Sequence, residues 1–269
     1  NTYVFGITLL LHLVDFIGVS NNYIMNDGLL ASILFSQNPR SGFEVGAKLY
    51  RNTVSPQYKI RPSTSLPKAG LYRLDITTSF EFLDCEFRQN QAYSGLITSY
   101  NSQVKLFHLR VIDNPIYGIS ILGTSSINSK LEIENTVIIN SSLTIDPSIG
   151  YSHGAIIYLN IGSLKIANLS VIDSNVHGDG VVLFANTAEA SIQNISFINV
   201  HRTLFDRNTM VVFILSTVDI DNFFCNNITN IFTLTETSIQ INKINIQDLQ
   251  TQQDIQFLFT MYNSSLSAN

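Results

Sequence analysis

Residues 163–175 read SLKIANLSVIDSN. Leu164 and Ile166 alternate with polar residues, Asn168 breaks the alternation, Leu169 and Val171 resume it, and Asp173 closes the stretch. Period-two alternation sends every second side chain to one face, which is the pattern of a half-buried strand. An Asn or Asp between two such stretches marks a tight bend, because Asn tolerates left-handed backbone better than most residues other than glycine. The stretch therefore predicts strand, bend, strand, bend.

The same grammar recurs along the chain. With Leu164 as anchor, its equivalents are Leu11, Phe43, Phe80, Val104, Leu131, Ala190, Val218, Ile239 and Leu266. From Phe80 onward the spacings are 24, 27, 33, 26, 28, 21 and 27 residues; the first two, 32 and 37, are looser. The Asn168 column reads Asp84, His108, Asn135, Asn168, Asn194, Asn222, Lys243. The Asp173 column reads Gln89, Asp113, Asn140, Asp173, Asn199, Asn227, Asp248. A further strand precedes each pair, often led by glycine: GLITSY, GISIL, GAIIYL, GVVLFA, and later VVFIL, IFTL and FLFTM. No segment has capped helical periodicity.

A fixed period of short strands is the mark of stacked repeats. The expected fold is all-β: a right-handed parallel β-helix of about ten three-stranded coils, each of about 27 residues. Asn135, Asn168, Asn194 and Asn222 are expected to form an inward ladder at one bend, bonding from coil to coil. A leucine-rich repeat overlaps in length and Asn usage, but it has one strand and one convex arc per repeat. A β-sandwich needs no common register. We expect residues 1–269 to form one β-helical domain and a fragment of a longer chain, with an irregular insertion at 53–69 holding Pro56, Pro62 and Pro67.

The glycine-led strand followed by an Asn-bounded strand, as in GAIIYL with NLSVIDSN and again in NISFIN, resembles repeats of polymorphic outer membrane proteins. It is also similar to pectin-lyase-like repeats in large surface proteins of ciliates and other protists. The resemblance covers most of the chain after Phe80. It implies an extracellular or cell-surface scaffold or adhesion role.

Composition fits such a coil. Charged residues are 13% of the chain, about half the usual share. Uncharged polar residues replace them, with 27 Asn, 29 Ser and 20 Thr. The net charge of −5 without a basic run disfavours nucleic acid as a partner. Tyr3–Val19 is apolar but short, and it holds His12 and Asp15, so no membrane span is expected. Expected partners are copies of this chain or sister β-helical subunits in a filament, with glycans as a second class. No metal or cofactor is expected, and none of the Cys/His spacings of metal sites occurs.

Parallel β-helices also house polysaccharide-degrading enzymes, whose chemistry needs two carboxylates converging on one groove. The polygalacturonase-like motifs are missing, and the nearest fragment is VHGDG, with His177 and Asp179. A glycine-rich turn explains that fragment, and His153 before Gly154, without chemistry. His108 stands in the Asn column, where a turn role is expected. Asp113, Asp173 and Asp248 share a column in separated coils; two coils span ~10 Å, too far for a shared metal. We expect no catalytic residues. Cys85 and Cys225 fall at inward positions five coils apart, or ~24 Å, which forbids a disulfide and predicts inert thiols. Most of the Phe side chains are assigned to the core. Tyr58, Tyr72, Tyr93, Tyr100, Tyr117, Tyr151 and Tyr158 are the candidates for stacking on sugars. Lys59, Arg61 and Lys68 make the insertion basic, a candidate docking element for a neighbouring subunit or an acidic glycan. N-glycosylation sequons occur at Asn140, Asn168, Asn194, Asn227 and Asn263, about as many as Asn, Ser and Thr content gives by chance. Asn263, Asn140 and Asn227 are preferred, because a glycan on an inward ladder would clash.

Overall fold

The computed structural model describes residues 9–12, 16–20, 23–25, 34–37, 41–45, 48–50, 53–54, 70–75, 79–92, 95–118, 120–145, 154–177, 180–202, 210–227, 231–248 and 259–268. Among these the regular structure is entirely strand, arranged as one 21-stranded and one 6-stranded sheet. All described pairings are parallel, between segments about one repeat apart. An antiparallel sandwich is thereby excluded, and the arrangement is compatible with a β-helix.

One repeat shows the plan. A lead segment, Gly95–Tyr100, is followed by a second, Gln103–Phe107, and a third, Arg110–Ile112. A short closing segment, Pro115–Tyr117, then joins the smaller sheet. The closing segment is a fourth strand where three were expected. It recurs at Gln91–Ala92, Ser142–Thr144, Asn175–His177 and His201–Arg202. Four of them carry one buried apolar side chain, Ala92, Ile116, Leu143 or Val176, that packs against the core. Strand in every segment also separates this chain from a leucine-rich repeat.

The anchor column from Phe80 to Leu266 is a true register column: Phe80, Val104, Leu131, Leu164, Ala190, Val218, Ile239 and Leu266 pair in succession. Partners there lie between 21 and 33 residues apart. The first two anchors are corrected. Gly42, not Phe43, pairs with Phe80, and Phe43 pairs with Gly18. Leu11 belongs instead to the lead segments, opposite Ser36. Leu9–His12 is as apolar as a second segment, so periodicity alone did not separate the two. Thr53–Val54 is a strand pairing with Gln91–Ala92, so the expected 53–69 insertion begins later, and the rest of it lies outside the described residues.

Alternation explains the second segments. Val104 and Leu106 point in, and Gln103, Lys105 and Phe107 point out. Lead segments bury consecutive residues, as in Leu96–Ile97 and Ile156–Ile157. The core is aromatic towards both described ends and aliphatic between them. Tyr72, Phe80, Phe82 and Phe87 cluster with ring centroids 4.9–6.3 Å apart. Phe197, Phe223, Phe232 and Phe259 form a second line at 4.9–5.5 Å. Such contacts add about 0.5–1.5 kcal/mol per pair beyond burial.

Left-handed backbone falls at three bends. Asp84, His108, Asn135 and Asn168 take it between second and third segments; Asn194 and Asn222 keep the column without it. Gln89, Asp113, Asn140, Asp173, Asn199, Asn227 and Asp248 take it after the third segment without exception. Asn101, Ile161, Thr187, Leu215, Glu236 and Asn263 take it between lead and second segments. At several of these bends the next residue turns inward with a polar side chain. Asn114, Ser141 and Ser174 follow the second set of bends, and Ser216, Thr237 and Ser264 the third. Each of these side chains donates to the carbonyl two residues before it, and most also accept from the backbone N–H of the equivalent residue one repeat earlier. That satisfies groups a dry corner would otherwise leave unpaired.

Candidate functional site

The outward side chains of the second segments form columns. One reads Glu81, Lys105, Glu132, Lys165, Ser191, Asp219, Gln240. Its first half is neutralised, with Lys105 Nζ 2.6 Å from Glu81 and Lys165 Nζ 2.5 Å from Glu132. The hydrogen bond to Glu132, and then its charge, hold the Lys165 ammonium above its ordinary pKa. In the second half Asp219 has no cationic partner among the described residues. Two positions further along the strands, on the same side, stand Ala167, Gln193, Asp221 and Asn242. Asp221 accepts from Asn242 Nδ2 at 3.3 Å and from Asn222 Nδ2 at 3.4 Å. The small Ala167 and Ser191 leave a dip between longer neighbours. The result is an open polar groove of about 440 Å³ reaching from Lys165 to Asn242.

Next to it runs the amide column. Asn168 Nδ2 donates to Asn135 Oδ1 at 2.8 Å, Asn194 to Asn168 at 2.8 Å, and Asn222 to Asn194 at 2.9 Å. Asn135 and Asn168 are exposed, and Asn194 and Asn222 partly so. The column therefore faces outward, which corrects the inward ladder expected from sequence. A left-handed residue at a convex bend throws its side chain to solvent, and the following residue takes the interior corner. The buried ladder is Asn90, Asn114, Ser141 and Ser174, at most 1% exposed. Asn114 Oδ1 accepts from Asn90 N at 2.8 Å, and Asn114 Nδ2 donates to Phe87 O and Ile112 O.

A second outer column joins Asn140 to Asp113, Asn199 to Asp173, and Asn227 to Asn199, at 2.8–3.0 Å. Four sequon asparagines, Asn140, Asn168, Asn194 and Asn227, thus use Nδ2 within an outer column. Asn263 is exposed at a left-handed bend, and its amide has no hydrogen-bond partner among the described residues. The expected clash on Asn168 and Asn194 falls away with their outward placement.

The remaining candidates are dispersed. His108 Nδ1 lies 3.0 Å from Asp84 Oδ1 within the outer column. His177 ends a closing strand opposite Thr144, not a loop; Asp179 and His153 lie outside the described residues. Arg88 approaches Asp113 at 3.7 Å. Among the described residues no three His, Cys, Asp or Glu side chains could share a metal, and no helix is long and apolar enough to cross a membrane. Cys85 and Cys225 are buried and not joined in a disulfide, and burial pushes the Cys225 thiol up to about 12. Tyr72 is 2% exposed and packs on Phe82, so it cannot stack on a sugar. Tyr100 and Tyr158 face outward on the lead segments but out of register, since Asn160, not Tyr158, shares the Tyr100 column. Tyr158 stacks on Phe184 at 5.1 Å, and its burial raises the phenol pKa. Tyr117 lies on the smaller sheet, and Tyr58, Tyr93 and Tyr151 lie outside the described residues, as do the basic residues Lys59, Arg61 and Lys68. No single aromatic strip forms among the described tyrosines.

No protein-family model, no curated protein and no solved structure matches this chain. The groove was not singled out from sequence. Its signal was present in the anchor column: the residues one and three after each anchor are the outward ones, which at the last anchors gives Ser191 and Gln193, Asp219 and Asp221, Gln240 and Asn242.

Proposed function

We propose that this chain is a right-handed parallel β-helix of the pectin-lyase-like, polymorphic-outer-membrane-protein-like kind. It serves as a non-enzymatic structural or adhesive module of an extracellular or cell-surface stalk or filament, joined to copies of itself or to sister subunits through ends or lateral faces. Right-handedness is the rule for a connection between parallel strands of one sheet. The observation that carries the structural role is the continuity of hydrogen-bonded side-chain columns from repeat to repeat, inside and out. Columns of this kind stiffen a rod along its axis. The low charge content and the exposed Asn263 sequon suit a glycoprotein at a surface.

Electron microscopy of the protein in buffer tests this. Fibres whose axial repeat is a multiple of the coil rise, ~4.8 Å, are expected. Monodisperse single rods at every concentration overturn assembly. Mass spectrometry of material secreted from a glycosylating host is expected to find Asn263 occupied ahead of Asn168 and Asn194. The groove favours a second reading, a polysaccharide-binding or polysaccharide-degrading β-helix protein.

A further inference from the structure

We propose that the groove on the second segments binds a chain of amino sugars carrying free, protonated amino groups. Three features point to this ligand. The first is charge. Upstream, the column pairs Glu81 with Lys105 and Glu132 with Lys165, and Glu134 of the adjoining column lies within reach of the Lys165 charge. At the groove the pattern changes: Asp219 and Asp221 face out on one strand, and no described cation pairs with either. Lys165 stands at the rim but is held by Glu132. The groove therefore presents two carboxylates to solvent, which attract cations and repel a polyuronate.

The second is chemistry. The other polar lining groups are a hydroxyl, Ser191, and the amides of Gln193, Gln240 and Asn242, each able to donate and accept. Ile166, Ile192 and Ile220 also line the groove, each buried between two outward positions of its strand. Such a lining fits a ligand dense in hydroxyls. The third is spacing. These groups repeat once per strand, ~4.8 Å apart, close to the length of one pyranose ring in an extended chain. From Lys165 to Gln240 the column spans three such steps, ~14 Å, room for about three sugars lying along the stacking direction. The amine of the sugar over the Asp219 strand would then meet Asp219 and Asp221 together, while hydroxyls of the sugars before and after it bond the amides. The groove is open to solvent along the column, so the ligand is a chain held along its length rather than a buried molecule.

The proposal is independent of the stalk reading: a filament that binds no sugar, and a single rod that does, are separately observable. The test is isothermal titration with a glucosamine oligomer, its fully N-acetylated counterpart of equal length, oligolysine, and calcium chloride alone. The proteins are the full chain and the Asp219→Asn/Asp221→Asn variant, whose substitutions are exposed and keep side-chain size; circular dichroism verifies the fold. The expected result is that the glucosamine oligomer binds the wild type, weakens roughly tenfold or more in the variant, and weakens with salt. The acetylated oligomer is expected to bind far less tightly. Glu134→Gln, outside the groove, is expected to leave affinity unchanged. Four outcomes overturn the proposal: no binding of the glucosamine oligomer, equal affinity in the variant, tighter binding of oligolysine than of the sugar, or calcium binding that the variant abolishes and that blocks the sugar.

Discussion

The side chain of Asn114 makes four hydrogen bonds in a corner with no exposure to solvent. Asn168 lies on the outer column and shares one amide bond with each neighbour. Replacing Asn114 with Ala removes the acceptor of the Asn90 N–H and strands the Phe87 carbonyl, at an expected cost of about 2–4 kcal/mol. Asn168→Ala is expected to cost about 1 kcal/mol, because water replaces what is lost. Urea denaturation of the two variants measures the difference, and equal costs would contradict the assignment of the inner ladder. Cys225 gives a pH-dependent counterpart. Its thiol is pushed up to about 12 by burial, whereas in the unfolded chain it ionises near its ordinary value, ~8.5. A raised folded-state pKa means that unfolding releases a proton once pH passes the ordinary value. The stability it contributes is therefore whole below ~8.5 and shrinks as pH climbs towards 12. The difference between wild-type and Cys225→Ala denaturation midpoints, followed from pH 7 to 11, is expected to show this decline. At pH 7 the native thiol is expected to react with aromatic disulfide reagents only as fast as the chain opens.

At the level of strands and bends, the three corners differ in how plainly the sequence announces them. The corner after the third segment is written in Asn, Asp and Gln, side chains suited to left-handed backbone, and it was legible. The corner between second and third segments was legible in position but not in orientation, because composition does not say which of Asn168 and Leu169 turns inward. The corner before the second segment was not seen at all. There Ile161, Thr187 and Leu215 take left-handed backbone that their side chains disfavour, at roughly 1–2 kcal/mol each. At Leu215 the next residue offsets this: Ser216 bonds back to Ile214 O while accepting from Ala188 N. A local propensity reading sees the unfavourable residue and misses the buried bond that offsets it. Gly162 belongs to the same corner, with φ +145° and an ideal Cβ position 2.0 Å from the Ser129 carbonyl oxygen. Gly162→Ala is expected to cost more than about 3 kcal/mol, because backbone rather than a pliable side chain must give way. Thermal unfolding checks it. The groove escaped notice for a different reason: Asp219 and Asp221 look like ordinary outward strand residues until the register places uncharged neighbours on both sides of them.

Over the molecule, each repeat packs chiefly on the one before and the one after it, so stability is nearly a sum of local and nearest-neighbour parts. Phe82 centres the first aromatic cluster, touching Tyr72, Phe80 and Phe87. Phe82→Ala is expected to cost about 3–5 kcal/mol. Hydrogen exchange is expected to show the loss of protection across residues 80–92 while residues 164–171 stay protected; a uniform loss would argue for all-or-none unfolding. The outer amide columns carry one more consequence. Asp113 and Asp173, as carboxylates, can only accept, so Asn140 and Asn199 must aim their N–H groups at them, and Asn227 follows suit towards Asn199. The amides of the neighbouring column point the same way, towards the earlier repeat. The rod is thus a vector, with a donor-facing and an acceptor-facing sense, like an arrow drawn along its axis. Two copies related by a two-fold axis would set donor against donor. If copies stack end to end as proposed, head-to-tail contact would let the arrow continue, and an interface of that kind does not close on itself, so growth would be polar and open-ended.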